Sequence, residues 1–95
     1  MDRLAFLAQL DKILGEREAT RPDGSYATQL FDSGIDRILR KVGEEAGETI
    51  IAAKNDDLDD CLNEVADLLF HVMVLLKSKG ASIQDVVEIL EKRSA

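Results

Sequence analysis

The sequence predicts an all-α fold, a helical bundle of four to five helices completed by homodimerisation. Apolar residues recur at spacings of three and four through most of the chain, the period of an amphipathic helix. No segment alternates apolar and polar residues between turn signals, as a half-buried strand would. Aromatic residues make up 4% of the sequence and Trp is absent, so the core between the helices is aliphatic. A chain of 95 residues holds a single domain, residues 1–95, too short for two hydrophobic cores. A domain of this size buries roughly 60 to 65% of its unfolded surface, so self-association is an expected source of further burial.

Leu4, Leu7, Leu10 and Leu14, flanked by Phe6 and Ile13, predict a first helix from about Asp2 to Glu18. Ala19 to Ser25 contains Pro22 and the Asp23-Gly24 turn pair, which predicts a loop. A short helix follows over Tyr26 to Phe31, ending before Gly34. Ile35, Ile38, Leu39, Val42, Ala46, Ile50 and Ala53 then keep helical spacing up to a stop at Asn55. Asp57 to Lys79 reads as a second long helix, with Leu58, Cys61, Leu62, Val65, Leu69, Val72, Met73 and Leu76 inward. Gly80 stands at its left-handed C-terminal position. Ser82 and Asp85 have the spacing of a capping box for a last helix with Ile83, Val86, Val87 and Leu90 as its apolar stripe.

Nineteen acidic residues against twelve basic ones give a formal charge of -7. That balance excludes a general DNA- or RNA-backbone binder, whose phosphates would be repelled. The longest apolar run, Leu68 to Leu76, is far below the roughly 20 residues of a membrane span, so no membrane partner is expected. Cys61 has no second cysteine with which to pair, and the chain opens without a secretory pattern; both point to the cytoplasm. The charge is concentrated. Asp36 to Asp67 holds ten acids and four bases, which is -6 of the -7 in one third of the length.

Within that third, Lys41, Glu45 and Glu48 line one flank of the first long helix. On the second, Asp60, Glu64, Asp67 and His71, spaced by four, three and four, form one narrow polar stripe on an otherwise apolar helix. Such a helix is buried on several sides, partly by a second subunit. Like charges stacked beside apolar surface are unfavourable unless a cation or hydrogen bonds compensate. The pairs Glu45/Glu48 and Glu64/Asp67, each at i and i+3, lie on helices that a short connection makes antiparallel neighbours. If they face each other, four oxygen ligands converge. Oxygen-only ligation selects Mg²⁺, with Mn²⁺ the alternative, and Mg²⁺ usually shares its coordination with substrate phosphates. A di-iron bundle normally uses Glu-x-x-His, and the one histidine here has no glutamate three residues before it. The opposing reading is a solvated acidic face.

Glu44-Glu45-x-x-Glu48 followed by Glu64-x-x-Asp67 resembles the metal signature of the all-α nucleoside-triphosphate pyrophosphatases, the MazG-like superfamily. Ser25-Tyr26, Leu30-Phe31, Gly34-Ile35-Asp36-Arg37-Ile38, Lys41-Val42-Gly43-Glu44-Glu45, Ala52-Ala53-Lys54-Asn55 and Glu64-Val65-Ala66-Asp67-Leu68 resemble, within it, the phosphoribosyl-ATP pyrophosphatases. The resemblance runs from about Leu4 to Arg93. It implies Mg²⁺-dependent hydrolysis of phosphoribosyl-ATP to phosphoribosyl-AMP and pyrophosphate, the second step of histidine biosynthesis, by a homodimer. The cyclohydrolase fused to this domain in many organisms would here be a separate protein. Gln29 departs from the family, where relatives often carry Lys, which puts a phosphate contact from that position in doubt.

These expectations assign Glu45, Glu48, Glu64 and Asp67 to the metal, with Glu44 or Glu48 accepting the proton from the attacking water. Lys41 is the first candidate for a phosphate contact, ahead of Arg37, Lys54 and Asn55. Arg17, Arg21, Ser25 and Tyr26 are candidates for a second phosphate, the ribose or the base. For Arg17 and Arg21 the alternative is ordinary surface charge, for Tyr26 helix-start packing, and His71 reads as a hydrogen-bonded core or interface residue rather than a ligand. Asp60 reads as an N-terminal helix charge ahead of an extra ligand. Two other functions remain: a housecleaning pyrophosphatase acting on dUTP or noncanonical triphosphates, and a noncatalytic helical dimerisation module.

Overall fold

The structure, a computed structural model describing residues 2–95, contains five helices and, among those residues, no strand. Helix α1 spans Ala5–Thr20, α2 Tyr26–Ser33, α3 Ile35–Ala53, α4 Leu58–Ser78 and α5 Ile83–Arg93.

Local chemistry sets each boundary. α1 starts three residues later than its apolar spacing predicts, because the Asp2 carboxylate accepts the Leu4 N–H at 3.1 Å and holds residues 2–4 as a turn. It ends at Arg21, whose backbone is left-handed (φ 47°), a conformation that favours glycine. The Arg21 side chain folds back to offset that strain, donating from Nε to the Glu18 carbonyl and from Nη1 to Asp32, each at 3.0 Å. Ser25 caps α2 by accepting the Thr28 N–H at 3.3 Å. Asp57 caps α4 by accepting the Asp60 N–H at 3.1 Å. Gly80, with φ 75°, closes α4 so that the Ala81 N–H reaches back to the Leu76 carbonyl at 2.8 Å. The Asp85 carboxylate accepts the Ser82 N–H at 2.9 Å to open α5, as the capping spacing predicts.

The core is small and lies towards one end of the molecule. Leu14 of α1, Ala27, Leu30 and Phe31 of α2, Ile38 of α3 and Met73 and Val74 of α4 form it, with Leu7, Leu10, Leu69, Phe70, Leu75 and Ile83 packed around them. A half-buried ion pair, Lys77 Nζ to Asp11 Oδ2 at 2.9 Å, fastens α4 to α1. The core therefore joins the first half of α3 to the second half of α4. The remaining halves, joined by a turn over residues 54–57, form a helical hairpin that projects from it.

That hairpin corrects part of the expected interior. Leu58, Leu62 and Val65 on α4 and Ile50 on α3, all expected inward, are exposed at 71, 57, 42 and 62%. Ile51 and Leu39 are exposed beside them, and on α5 so are Val87 and Leu90. The periodicity marks Leu58, Leu62, Val65 and Ile50 as apolar-face residues, but among the described residues no element covers them. Surface scaling gives the same result. A folded monomer of 10.5 kDa exposes about 5,400 Å² by the general relation, whereas this chain exposes 6663 Å². The radius of gyration, 14.3 Å, likewise exceeds the ~12.4 Å typical of a compact domain of this length.

Candidate metal and phosphate site

Glu45 and Glu48 lie five to eight residues before the end of α3, and Glu64 lies six after the start of α4. An antiparallel hairpin with a short turn brings such positions level, at the boundary between the core and the projecting hairpin. The structure brings these three together: one carboxylate oxygen from each of Glu45, Glu48 and Glu64 lies within 4.8 Å of the others. Asp67, one turn further along α4, is exposed and falls outside that group, as does Asp60 in the first turn of α4.

Burial distinguishes this group from a solvated acidic face. Glu45 is only 6% exposed and Glu64 is half-buried, and each holds an Oε2 shielded from water with no hydrogen-bond partner. An unpartnered buried carboxylate oxygen is costly. Two of them in a group drawn from two helices are what a cation would satisfy. The donor set, all oxygen, suits Mg²⁺ or Mn²⁺, which hold opposite ligands about 4 Å apart. The residues present therefore fit a divalent cation.

Lys41 borders the group. Its Nζ lies 3.4 Å from Glu44 Oε2 and 3.5 Å from Glu45 Oε1, so Glu45 has one oxygen on a lysine and one unpartnered. Desolvation pulls the Lys41 ammonium down, but the Glu44 hydrogen bond, the charges of Tyr26 and Glu44, and Glu45 outweigh it and hold its pKa above the ordinary lysine value. Lys41 is thus a firmly charged cation at the edge of a carboxylate cluster. Glu44 is half exposed on the solvent side of Lys41 and also faces Arg40 at 4.0 Å.

The other candidates lie outside this group. Ser25 is occupied as the α2 cap, and the Tyr26 hydroxyl is bonded to His71 Nε2 at 2.8 Å. Tyr26 also stacks on Phe70, with ring centroids 6.0 Å apart. Arg37 donates to Ser33 Oγ at 2.9 Å and Arg21 is paired with Asp32. Arg17, in the last turn of α1, is half-buried. Lys54 and Asn55 are exposed where α3 ends, at the far tip of the hairpin from the core. The sequence carried the Lys41–Glu44 and Lys41–Glu45 pairs in its i,i+3 and i,i+4 spacing. Nothing in it signalled the Tyr26–His71 bond, whose partners are 45 residues apart.

Residues 7–94 match the family described as phosphoribosyl-ATP pyrophosphohydrolase. A protein of Leptospira biflexa named phosphoribosyl-ATP pyrophosphatase is 48% identical over 90 residues, covering 95% of this chain and 98% of its own. One of the same name from Clostridium acetobutylicum is 42% identical over 94 residues, covering 99% of this chain and 86% of its own. A histidine biosynthesis bifunctional protein, HisIE, of Halalkalibacterium halodurans is 49% identical over 92 residues, 97% of this chain. The chain spans only 44% of the length of that bifunctional relative and of the Bacillus subtilis protein of the same name.

Proposed function

The chain belongs to the phosphoribosyl-ATP pyrophosphohydrolase family, and on that basis we propose that it hydrolyses the α–β phosphoanhydride of phosphoribosyl-ATP, giving phosphoribosyl-AMP and pyrophosphate in histidine biosynthesis. The observation that carries this reading is the trio Glu45, Glu48 and Glu64, with two buried, unpartnered oxygens beside the charged Lys41. Relatives that bear the activity in their names and match this chain over most of their own length support it.

Glu45, Glu48 and Glu64 hold the metal, Mg²⁺ or Mn²⁺, with Asp67 joining from the next turn of α4. When bound, a divalent cation neutralises triphosphate charge and lowers the pKa of a coordinated water. Lys41, drawn to the edge of the cluster by Glu44 and Glu45, offers its ammonium to a phosphate oxygen. Glu44 is half exposed and Glu48 exposed, which supports either carboxylate as the acceptor of the proton from the attacking water. Hydrolysis of a phosphoanhydride depends on positioning and charge stabilisation, and no nucleophilic side chain is needed. Arg17, Arg21, Arg37, Lys54, Asn55, Ser25 and Tyr26 are the candidate contacts for the remaining phosphates, riboses and base. Arg21 and Arg37 must exchange their present partners to serve.

The working form is a homodimer in which a second copy covers the exposed apolar residues of the hairpin, Ile50, Ile51, Leu58, Leu62 and Val65, and Leu39 of α3. Their exposure and the excess surface support this. Among the described residues no helix is long and apolar enough to cross a membrane; we place the protein in the cytoplasm. The bifunctional relatives support a functional link to a phosphoribosyl-AMP cyclohydrolase, which consumes the product.

The direct test is pyrophosphate release from phosphoribosyl-ATP, ATP and dUTP, each with Mg²⁺ and with chelator. Rapid Mg²⁺-dependent release from phosphoribosyl-ATP alone is expected. Preferential release from dUTP transfers the chain to housecleaning hydrolysis, and no release from any of the three overturns the enzymatic reading.

A further inference from the structure

The Tyr26–His71 bond joins the two ends of the site. The other edge of the imidazole fixes its direction: His71 Nδ1 lies 2.7 Å from the Asp67 carbonyl oxygen, which only accepts. Nδ1 therefore carries the hydrogen, and in the neutral ring Nε2 accepts from the Tyr26 hydroxyl at 2.8 Å. His71 is 4% exposed, packed edge-on against both Phe70 and Tyr26, with centroids 5.4 and 5.6 Å away. With both ring nitrogens engaged, its orientation has no freedom.

Tyr26 occupies a different environment. It is 41% exposed and one face lies on Phe70. It is also the first residue of α2, directly after the Ser25 cap, so its hydroxyl bond anchors the chain where the loop over residues 21–25 meets the helix. His71, one turn beyond Asp67, continues the stripe that carries Glu64. The bond therefore ties the end of the loop to the carboxylate stripe of α4. A tyrosine that served only to fill space would be as well supplied by its Phe70 contact without the hydroxyl.

We infer that Tyr26 and His71 are positioning residues that hold the Ser25–Tyr26 end of the loop against the Glu64–Asp67 stripe, so that a triphosphate reaching Lys41 meets a preformed loop. Neither touches the reacting atoms, and the inference rests on the phosphoribosyl-ATP reading above. Removing the hydroxyl leaves the carboxylates and Lys41 in place and frees the loop. The loss falls on KM and leaves kcat nearly intact, because binding must then order what the bond had ordered in advance.

The experiment compares wild type, Tyr26→Phe, His71→Leu, His71→Gln and the Tyr26→Phe/His71→Leu double variant. Measurements are phosphoribosyl-ATP kinetics, thermal unfolding and tyrosine emission. With one Tyr and no Trp in the chain, that emission reports Tyr26 alone. Tyr26→Phe, which keeps the ring on Phe70, should raise KM about fivefold, the scale of one neutral hydrogen bond, with kcat within about twofold. His71→Leu should match it and change the tyrosine emission. The double variant should be no worse than either single change, because both break one bond. His71→Gln, which retains an acceptor, should recover part of the loss. A lowered unfolding temperature with unchanged KM would make the bond purely structural and overturn the inference, as would additive effects or unaltered emission in His71→Leu. If wild type turns over phosphoribosyl-ATP and Tyr26→Phe equals it, this inference alone falls. If wild type has no such activity, the functional reading falls and takes the inference with it.

Discussion

Glu45 on α3 and Glu64 on α4 each bury a carboxylate oxygen that nothing in the chain satisfies, and both belong to one three-residue oxygen cluster. A protein that leaves two such atoms unpaired at the same place gives up stability there, which a bound cation restores. Mg²⁺ should therefore raise the unfolding temperature, by about 1.4 kcal/mol at ten times its Kd, or roughly 6 to 11 °C for a domain of this size. A calorimetric titration measures it. A chain whose melting is indifferent to Mg²⁺ has only a solvated acidic face.

Glu64→Gln and Asp67→Asn separate the clustered ligand from the one outside the cluster. Glu64→Gln should abolish the Mg²⁺ thermal shift and lower Mg²⁺-dependent pyrophosphate release by at least about a hundredfold, the scale of lost electrostatic stabilisation. Asp67→Asn should lower release comparably while keeping part of the thermal shift, since Glu45, Glu48 and Glu64 remain. Full activity in either variant, with helicity retained, would remove that residue from the mechanism.

Lys41 gives a pH signature. Its pKa is raised in the folded chain, above the ordinary 10.5, so its contribution to stability is fully present below that value. The contribution is lost as pH rises through the raised folded pKa. Lys41→Met should therefore flatten the alkaline part of the stability profile while raising KM for phosphoribosyl-ATP about tenfold, the scale of a charge-assisted hydrogen bond. Kinetics identical to wild type would end its role as a phosphate contact.

The apolar hairpin face predicts association. Sedimentation should find a dimer at micromolar concentration, and Leu62→Glu, which places a charge in the middle of that face, should give a monomer of lower unfolding temperature. A wild-type monomer contradicts the assignment of a second copy to that face.

At Gly80 the backbone is left-handed with φ 75° and open space where a Cβ would go, so the strain is purely conformational. Gly80→Ala should destabilise by about 1 kcal/mol, a fall of roughly 4 to 8 °C, with activity unchanged below the transition.

The helices were readable from the sequence because their causes are local. Ser25, Asp57, Ser82 and Gly80 act within one turn of where they stand, and the spacing of three and four that marks α3 and α4 needs no partner to be seen. The start of α1 was misplaced for an equally local reason: Asp2 holds a turn and delays the helix to Ala5. The carboxylate pairs were legible too, since i and i+3 residues share a helix face whatever surrounds them.

The tertiary structure decided which members of each pattern meet and which stay exposed. Spacing treats Glu64 and Asp67 alike, yet only Glu64 joins Glu45 and Glu48, because the antiparallel register of the hairpin brings Glu64 opposite them and places Asp67 one turn on. Spacing likewise marks Leu58, Leu62 and Val65 as apolar-face residues, but coverage depends on which elements pack there, and the core is made at the other end of α4. Tyr26 and His71 have no sequence relation at all. Their bond exists because α2 and α4 pack together, and long-range packing is the one thing that local periodicity does not encode.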